Sequence, residues 1–168
     1  MSTFYAQPYD INAKGFWFDD AESYRRQSAG HVNRYGMPVE EYEIQFIDGE
    51  LIDAALASAL EVNQASICAY FEAEADWNED QKLRVIISER EIGNPFDLEH
   101  DDPDDLDIDL YEMDSMQELA EQFVDEGLFG DIPEHLANYI DMDAIAHDLS
   151  MDYAETNIAG RRFIYRSA

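Results

Sequence analysis

The chain contains no lysine or arginine over residues 91–160, so every formal side-chain charge in this acid-only interval is negative, apart from any protonated histidine. A block of like charge usually indicates a disordered, self-repelling tail. Here, however, Leu106, Ile108 and Leu110 alternate with aspartates. A period of two places apolar side chains on one face of a strand and carboxylates on the other. The sequence therefore predicts a strand over 106–112 that displays its carboxylates on a folded element.

The spacing of carboxylates along such a strand is similar to that of a nucleic-acid backbone. Residues on one face of a strand lie about 6.6–6.8 Å apart, and neighbouring phosphates on one nucleic-acid strand are separated by roughly 7 Å. Any acidic strand has this spacing, and it is the absence of cations through the interval that favours mimicry of phosphate. The candidate carboxylates are Asp97, Glu99, Asp101, Asp102, Asp104, Asp105, Asp107, Asp109, Glu112, Asp114, Glu118, Glu121, Asp125 and Glu126.

The overall charge limits the possible partners. Ten Lys and Arg against 39 Asp and Glu give a net charge of −29, which excludes nucleic acid and anionic membranes as simple electrostatic partners. Two carboxylates about 7 Å apart repel by roughly 0.6 kcal/mol in water. Summed over a crowded face, this cost is comparable with the net stability of a small domain, which suggests that the charge is useful. Adaptation to salt is an alternative, but it would spread the acids evenly along the chain.

Cys68 is the only cysteine, so a disulfide framework within the chain and a cysteine zinc site are excluded. We expect it to be a small buried apolar residue. Residues 1–10 lack a basic region followed by an apolar run, and nothing approaches eighteen uninterrupted apolar residues. The sequence therefore predicts a soluble, cytoplasmic protein.

The predicted elements form an α+β chain with an acidic surface, divided into three small domains. Residues 1–49 form an N-terminal α+β domain with one helix capped by Asp19 or Asp20 and with short aromatic strands around 4–6 and 16–18, the second of which we expect in the core. Residues 50–95 form a central domain of three short helices, the second of which we expect to start after Asn63 as its cap. Each helix is too short to be stable alone. Residues 96–168 form a C-terminal acidic α+β domain.

Local signals define the C-terminal domain further. Ser115 and Glu118 have the spacing of a capping box before a helix that runs to about residue 126. Pro133 suits the first turn of a short helix, and Asp141 can cap another. A terminal hairpin ends the chain, and we expect its arginines, Arg161, Arg162 and Arg166, to pair internally with carboxylates rather than to bind nucleic acid.

Catalytic and metal-binding patterns do not fit the chain. A calcium loop that begins at Asp101 would place Leu106 where a glycine is needed, and one that begins at Asp105 would end on Met116 instead of a glutamate. The histidines lack the spacing of a metal site, and no phosphate-binding glycine loop is present. Few basic side chains are available to stabilise an oxyanion. We therefore expect no enzyme activity, no metal and no cofactor.

Several stretches resemble one known family. Residues 126–133, EGLFGDIP, are followed by LANYID at 136–141 and by AIAHDL at 144–149, and this string resembles the ArdA family of antirestriction proteins. The early GFWF at 15–18 and EEYE at 40–43 resemble the first domain of that family. The resemblance covers most of the chain and is strongest over about 115–166.

This resemblance implies a DNA-mimic inhibitor that occupies the DNA-binding groove of type I restriction-modification enzymes, contacting their DNA-binding specificity or methyltransferase subunits. It also implies a cytoplasmic protein encoded by a mobile genetic element, and an elongated, curved homodimer with three small domains per chain. The antirestriction-like motif of the family corresponds here to residues 127–139, with its dimer seam carried by Gly127, Leu128, Phe129, Ile132, Pro133, Leu136 and Tyr139.

Two other functions are compatible with the residues alone. The chain could be an acidic binding module for another basic DNA-binding protein, such as a nucleoid protein, a polymerase or a nuclease. It could also be a regulatory protein that binds divalent cations. Competition with DNA for a type I methyltransferase separates the first alternative from antirestriction, and calorimetry with calcium tests the second.

Overall fold

A computed structural model describes residues 1–167 of the chain, and these residues form a mixed α+β structure. They divide into two compact units, one over Met1–Leu106 and one that begins at Asp107. The predicted domains 1–49 and 50–95 both lie within the first unit, and the three-domain division stays a prediction. Within residues 1–167, none of the helices combines the length and the apolar character that crossing a membrane requires.

The first unit contains a three-stranded antiparallel sheet. Strands β1 (Thr3–Pro8), β2 (Phe16–Phe18) and β3 (Tyr42–Asp48) are arranged in the order β2-β1-β3. Alternate residues of the central strand are buried, beginning with Phe4, as the period of a half-buried strand requires. The predicted strands around 4–6 and 16–18 are thus confirmed.

Four α-helices complete this unit. They are α1 (Ala21–Ser28), α2 (Leu51–Ala59), α3 (Ile67–Asp76) and α4 (Glu79–Ile87), and a π-helical turn over Ser88–Ile92 follows the last. Two of them, α1 and α4, start at a short polar side chain that accepts a hydrogen bond from an otherwise unpaired backbone N–H group. Asp20 caps α1, and Asn78 forms a reciprocal capping box with Gln81 at the start of α4.

An aromatic cluster joins the sheet to α3. The ring of Phe4 lies 5.2 Å from Phe46, 5.4 Å from Tyr70 and 5.4 Å from Phe71, in each case edge to face. This geometry is favourable for aromatic pairs. The predicted core position of the 16–18 segment is correct for Phe18 but not for Trp17, which is exposed.

The second unit has its own sheet and its own core. Strands β4 (Ile108–Glu112), β5 (Ala154–Ile158) and β6 (Arg161–Ser167) are antiparallel in the order β4-β6-β5. Helices α5 (Met116–Asp125) and α6 (Met142–Leu149) precede the terminal hairpin. The core is formed by Leu119, Phe123, Tyr153 and Ile164. The predicted helices around these positions and the terminal hairpin are confirmed.

Four local expectations need correction. The predicted strand over 106–112 begins only at Ile108, because Pro103–Asp105 form a 3-10 turn instead. Ser115 caps α5, but the Glu118 carboxylate accepts a bond from the N–H of Asp114, so the reciprocal bond of a capping box is replaced.

A helix expected to start after Asn63 begins instead at Ile67, because Asn63 accepts the N–H of Ala65 in a preceding turn. Cys68, in the first turn of that helix, is half-buried rather than buried.

Candidate interaction surface

Residues 97–106 form an acidic loop in the first unit, fixed at both ends by buried side chains. Phe96 is buried, with its ring 5.5 Å from that of Trp77. Its N–H donates to the Glu89 carboxylate over 2.7 Å. Pro103 is also buried and starts the 3-10 turn. The loop therefore folds on a packed base, although its carboxylates are exposed.

The aspartates of this loop organise its backbone. The carboxylate of Asp97 accepts the N–H of Glu99 over 2.9 Å, and that of Asp101 accepts the N–H of Asp97 over 2.8 Å. Asp102 accepts the N–H of Asp104 in the same way, over 2.9 Å. Aspartate is well suited to such turns because its short side chain reaches the backbone two residues on. The carboxylates are thus held in defined positions.

Hydrogen bonds also keep Asp97 ionised. The N–H of Glu99 and the imidazole of His100, 3.0 Å away, together hold the pKa of Asp97 below its ordinary value of 3.8. Bonds to the charged form of a carboxylate favour that form. This carboxylate therefore carries its charge throughout the neutral pH range.

Two residues that the sequence analysis missed support the loop from α4. The side-chain amide of Gln81 donates to the Asp104 carboxylate over 2.9 Å, and the guanidinium of Arg84 donates to the carbonyl of Leu106 over 3.2 Å. Each pair is separated by more than twenty residues along the chain, so periodicity and capping signals do not reveal it. A polar, exposed face on α4 was the only available indication.

In the second unit, α5 presents a row of carboxylates to solvent. Glu118, Glu121 and Asp125 are exposed, whereas Leu119 and Phe123 are buried. Residues three and four apart share one face of a helix. At a rise of about 1.5 Å per residue, the successive positions in this row are separated by about 4.5 and 6 Å along the axis. The helix thus separates an apolar face from an acidic one.

Two candidate carboxylates on β4 have cationic partners on β6. Arg166 donates to Asp109 through Nε at 3.1 Å, and Arg161 lies 3.5 Å from Glu112. Arg162 similarly lies 3.6 Å from Glu155. The expectation that the terminal arginines pair internally is confirmed.

Exposure distinguishes Asp109 from the rest of the candidate set. Asp109 is half-buried, and all the other candidate carboxylates are exposed. Asp105, Asp107, Glu121 and Asp125 have no ion pair within 4 Å and accept no side-chain hydrogen bond among residues 1–167. Glu99 and Asp114 share this property, so these six carboxylates form the uncompensated part of the set.

The antirestriction-like motif begins with the turn that ends α5. Gly127 has a φ of 76°, its N–H donates to the carbonyl of Val124, and the N–H of Leu128 donates to that of Phe123. This pair of bonds is a Schellman motif, which glycine favours because it adopts left-handed backbone conformations without steric cost.

The apolar side chains of the motif lie largely outside the core of the second unit. Leu128, Phe129 and Leu136 are exposed, and Tyr139 is 83 % exposed on a 3-10 segment over Glu134–Tyr139. Ile132 is half-buried, and Gly127 and Pro133 are exposed. Four large apolar side chains are thus exposed within twelve residues of sequence, and exposed apolar surface commonly marks interaction sites where it is contiguous.

The part of the chain that the structure describes contains no group of three or more His, Cys, Asp or Glu arranged to hold a metal ion. His100 bonds to Asp97, and His31 lies 2.8 Å from the Tyr42 hydroxyl, while His135 and His147 are exposed. His31 also packs against the rings of Phe16 and Tyr42, 5.5 and 5.7 Å away between ring centres.

A sequence model of the family described as antirestriction protein (ArdA) matches residues 12–160. The match extends over most of both units and includes the acidic loop, α5 and the antirestriction-like motif. No curated protein matches the chain.

Proposed function

Because the chain belongs to the ArdA family of antirestriction proteins, we propose that it inhibits type I restriction-modification enzymes by occupying their DNA-binding groove as a mimic of DNA. Family membership implies an antirestriction function, directed at restriction-modification enzymes, and places the chain among inhibitor proteins rather than enzymes. The observation that carries the proposal is the set of exposed carboxylates held on folded elements in an interval without lysine or arginine.

The geometry of the acidic loop supports mimicry of a rigid polyanion. Its aspartates accept backbone hydrogen bonds within the loop, so their positions are fixed before any partner binds. A preorganised surface avoids the ordering cost that a disordered acidic tail would incur on binding. Carboxylates then stand in for the phosphates that Lys and Arg of the enzyme contact, and no duplex has to be bent.

The proposal includes a distributed electrostatic contribution. Each exposed carboxylate contributes little in water, and salt screens it further over about 8 Å. A single Asp→Asn change should therefore have little effect. Neutralising the six aspartates of the tract together should weaken inhibition; these are Asp101, Asp102, Asp104, Asp105, Asp107 and Asp109.

We further propose that two copies of the chain associate through the antirestriction-like motif. The exposed side chains of Leu128, Phe129 and Tyr139 support this, since apolar groups suit a subunit seam better than contact with a basic groove. In this arrangement the inhibitor acts in the cytoplasm as an elongated homodimer of three-domain chains, and the acidic faces of both copies contribute to the mimic.

The decisive experiment measures displacement of a fluorescent DNA duplex from a type I methyltransferase at near-physiological salt. The test variant changes four of the uncompensated carboxylates to the matching amides: Asp105→Asn, Asp107→Asn, Glu121→Gln and Asp125→Asn. We expect the native chain to displace the duplex and the variant to require a concentration about tenfold higher, because several contacts to cationic side chains are lost together.

A matched control removes the same charge elsewhere. Asp19→Asn, Glu40→Gln, Glu41→Gln and Glu72→Gln alter four exposed carboxylates outside the acid-only interval. Equal losses in the two variants would show that only total charge matters. Equal displacement of duplex from an unrelated DNA-binding protein would show generic polyanion behaviour, and failure with several type I enzymes would favour a different basic partner.

A further inference from the structure

The negative charge is not spread over the whole chain. Residues 9–38 contain four carboxylates and four Lys or Arg, so their net charge is zero, and the remaining 35 acids and six bases account for the entire −29. In a chain with so large a negative charge, the long-range repulsion of anionic groups is locally weak at this segment. The structure shows which side chains this segment exposes to solvent.

Two loops of this segment are joined into a defined platform, residues 9–14 and 31–38. The N–H of Arg34 donates to the carbonyl of Asn12 over 3.0 Å, and the side chain of Asn33 donates to Asp10 over 2.7 Å. Val32 pairs with Pro38 in an isolated antiparallel bridge. These bonds fix both loops relative to each other, so the platform is an ordered surface.

The platform exposes large apolar side chains. Ile11 is 95 % exposed and Tyr35 67 % exposed, and Tyr9, Val32 and Met37 are exposed as well. Between the two loops lies a cleft of about 440 Å³, lined on one side by Ile11 and on the other by Val32. The volume falls in the range of clefts that bind small ligands or single side chains of a partner.

Two cations border the same cleft. Lys14 and Arg34 line it, and no carboxylate among residues 1–167 lies within 4 Å of either charged group. The guanidinium of Arg34 instead lies 4.7 Å from the centre of the Tyr35 ring. The adjacent Asp10 is occupied by hydrogen bonds from Asn33 and Asn12, and these bonds, with a smaller contribution from Arg34, hold its pKa below the ordinary value. The cleft thus combines apolar walls with cations that have room for a carboxylate.

We propose that this platform docks an acidic segment of a partner protein, with an apolar side chain in the cleft and neighbouring carboxylates on Lys14 and Arg34. Charge complementarity identifies the occupant. The rest of the chain repels nucleic acid and anionic lipid over large surfaces, whereas a short peptide segment is small enough to contact mainly Lys14, Arg34 and the apolar side chains of the platform. This surface is separate from the proposed DNA mimic and has the opposite electrostatic preference.

The test uses the full-length ¹⁵N-labelled chain and a short synthetic peptide that alternates aspartate and leucine. At near-physiological salt, where distant carboxylates are screened, amide signals of Asn12, Val32 and Arg34 should shift on titration. The variant Lys14→Glu with Arg34→Glu should weaken binding by about tenfold or more. Arg25→Glu with Arg26→Glu makes the same charge change on exposed residues of α1 and should leave the affinity within about twofold.

A second peptide, with asparagine in place of aspartate, separates charge from apolar contact, and circular dichroism verifies that both protein variants are folded. The proposal is overturned if the acidic peptide does not bind, if its shifts lie outside the platform, or if the asparagine peptide binds equally well. Equal loss of affinity in the two variants would also overturn it, because the platform would then have no special role.

Discussion

Lys82 and Asp53 form a buried ion pair that links α4 to α2 in the first unit. The Lys82 Nζ lies 2.7 Å from the Asp53 carboxylate, and the two side chains are 10 % and 4 % exposed. The hydroxyl of Tyr70 donates to the Asp53 carbonyl, so the pair lies in a polar pocket of the core. A buried charge that loses its partner is costly, whereas loss of both partners is often tolerated.

We therefore predict that Lys82→Met lowers the free energy of unfolding of the first unit by about 3–5 kcal/mol. The double change Lys82→Met with Asp53→Leu should recover much of this loss, because no unpaired charge remains. Urea denaturation followed by tryptophan fluorescence measures both, since Trp17 and Trp77 are the only tryptophans and lie in this unit. A double variant as unstable as the single one would contradict the prediction.

The candidate carboxylates could be identified from the sequence, but the residues with which they form ion pairs or hydrogen bonds could not. The absence of cations over 91–160 is visible in the residues alone. The contact between Asp109 and Arg166 joins positions 57 residues apart, in a strand register that no local signal specifies. The same holds for the bond from Gln81 to Asp104. Sequence therefore gives the number of charges, and tertiary structure decides which are compensated.

The antirestriction-like motif begins directly after the end of helix α5. Gly127 adopts a φ of 76° in the Schellman turn, and a β-carbon there would meet no neighbouring atom within 4 Å. The cost of a substitution is thus conformational rather than steric: an alanine in the left-handed region costs roughly 1–2 kcal/mol.

Gly127→Ala should lower the stability of the second unit by about 1 kcal/mol, measured as faster amide hydrogen exchange along α5. Gly30→Ala provides the comparison, because Gly30 has no left-handed φ and open space around its α-carbon. That change should leave the stability of the first unit unaltered or slightly higher. Unaltered exchange in α5 would mean that the turn adjusts without strain.

Three helix starts were predictable, because a cap depends on residues within one turn, whereas the start expected after Asn63 was wrong. Asp20, Ser115 and Asp141 cap the helices expected of them. The strand over 106–112 was less predictable at its beginning. Pro103 is buried and Asp102 accepts the N–H of Asp104, and both features stabilise a tight turn just before the strand. The alternation of apolar and acidic residues does not reveal this turn, so the strand was predicted to begin too early.

For the whole molecule, the proposed self-association has a direct test. Leu128→Asp with Phe129→Asp places two charges among exposed apolar side chains, and we expect the native dimer to become a monomer in sedimentation velocity. The fold should survive, because neither side chain is buried in the chain itself. Met151→Asp, at another exposed apolar residue of the same unit, should leave the dimer intact. A native chain that sediments as a monomer would rule out the seam.

The hydrogen bonds within the acidic loop limit which amino-acid substitutions this acidic surface can accept during evolution. Asp97, Asp101 and Asp102 each use one oxygen to hold the backbone. Asparagine retains an oxygen at the same reach but no charge, whereas glutamate retains the charge but extends too far for the same turn. Charge and shape are therefore separately adjustable in the loop. At Glu121 and Asp125 on the exposed face of α5, where no backbone hydrogen bond depends on the side chain, aspartate and glutamate are close to interchangeable, so substitution there can proceed at constant charge.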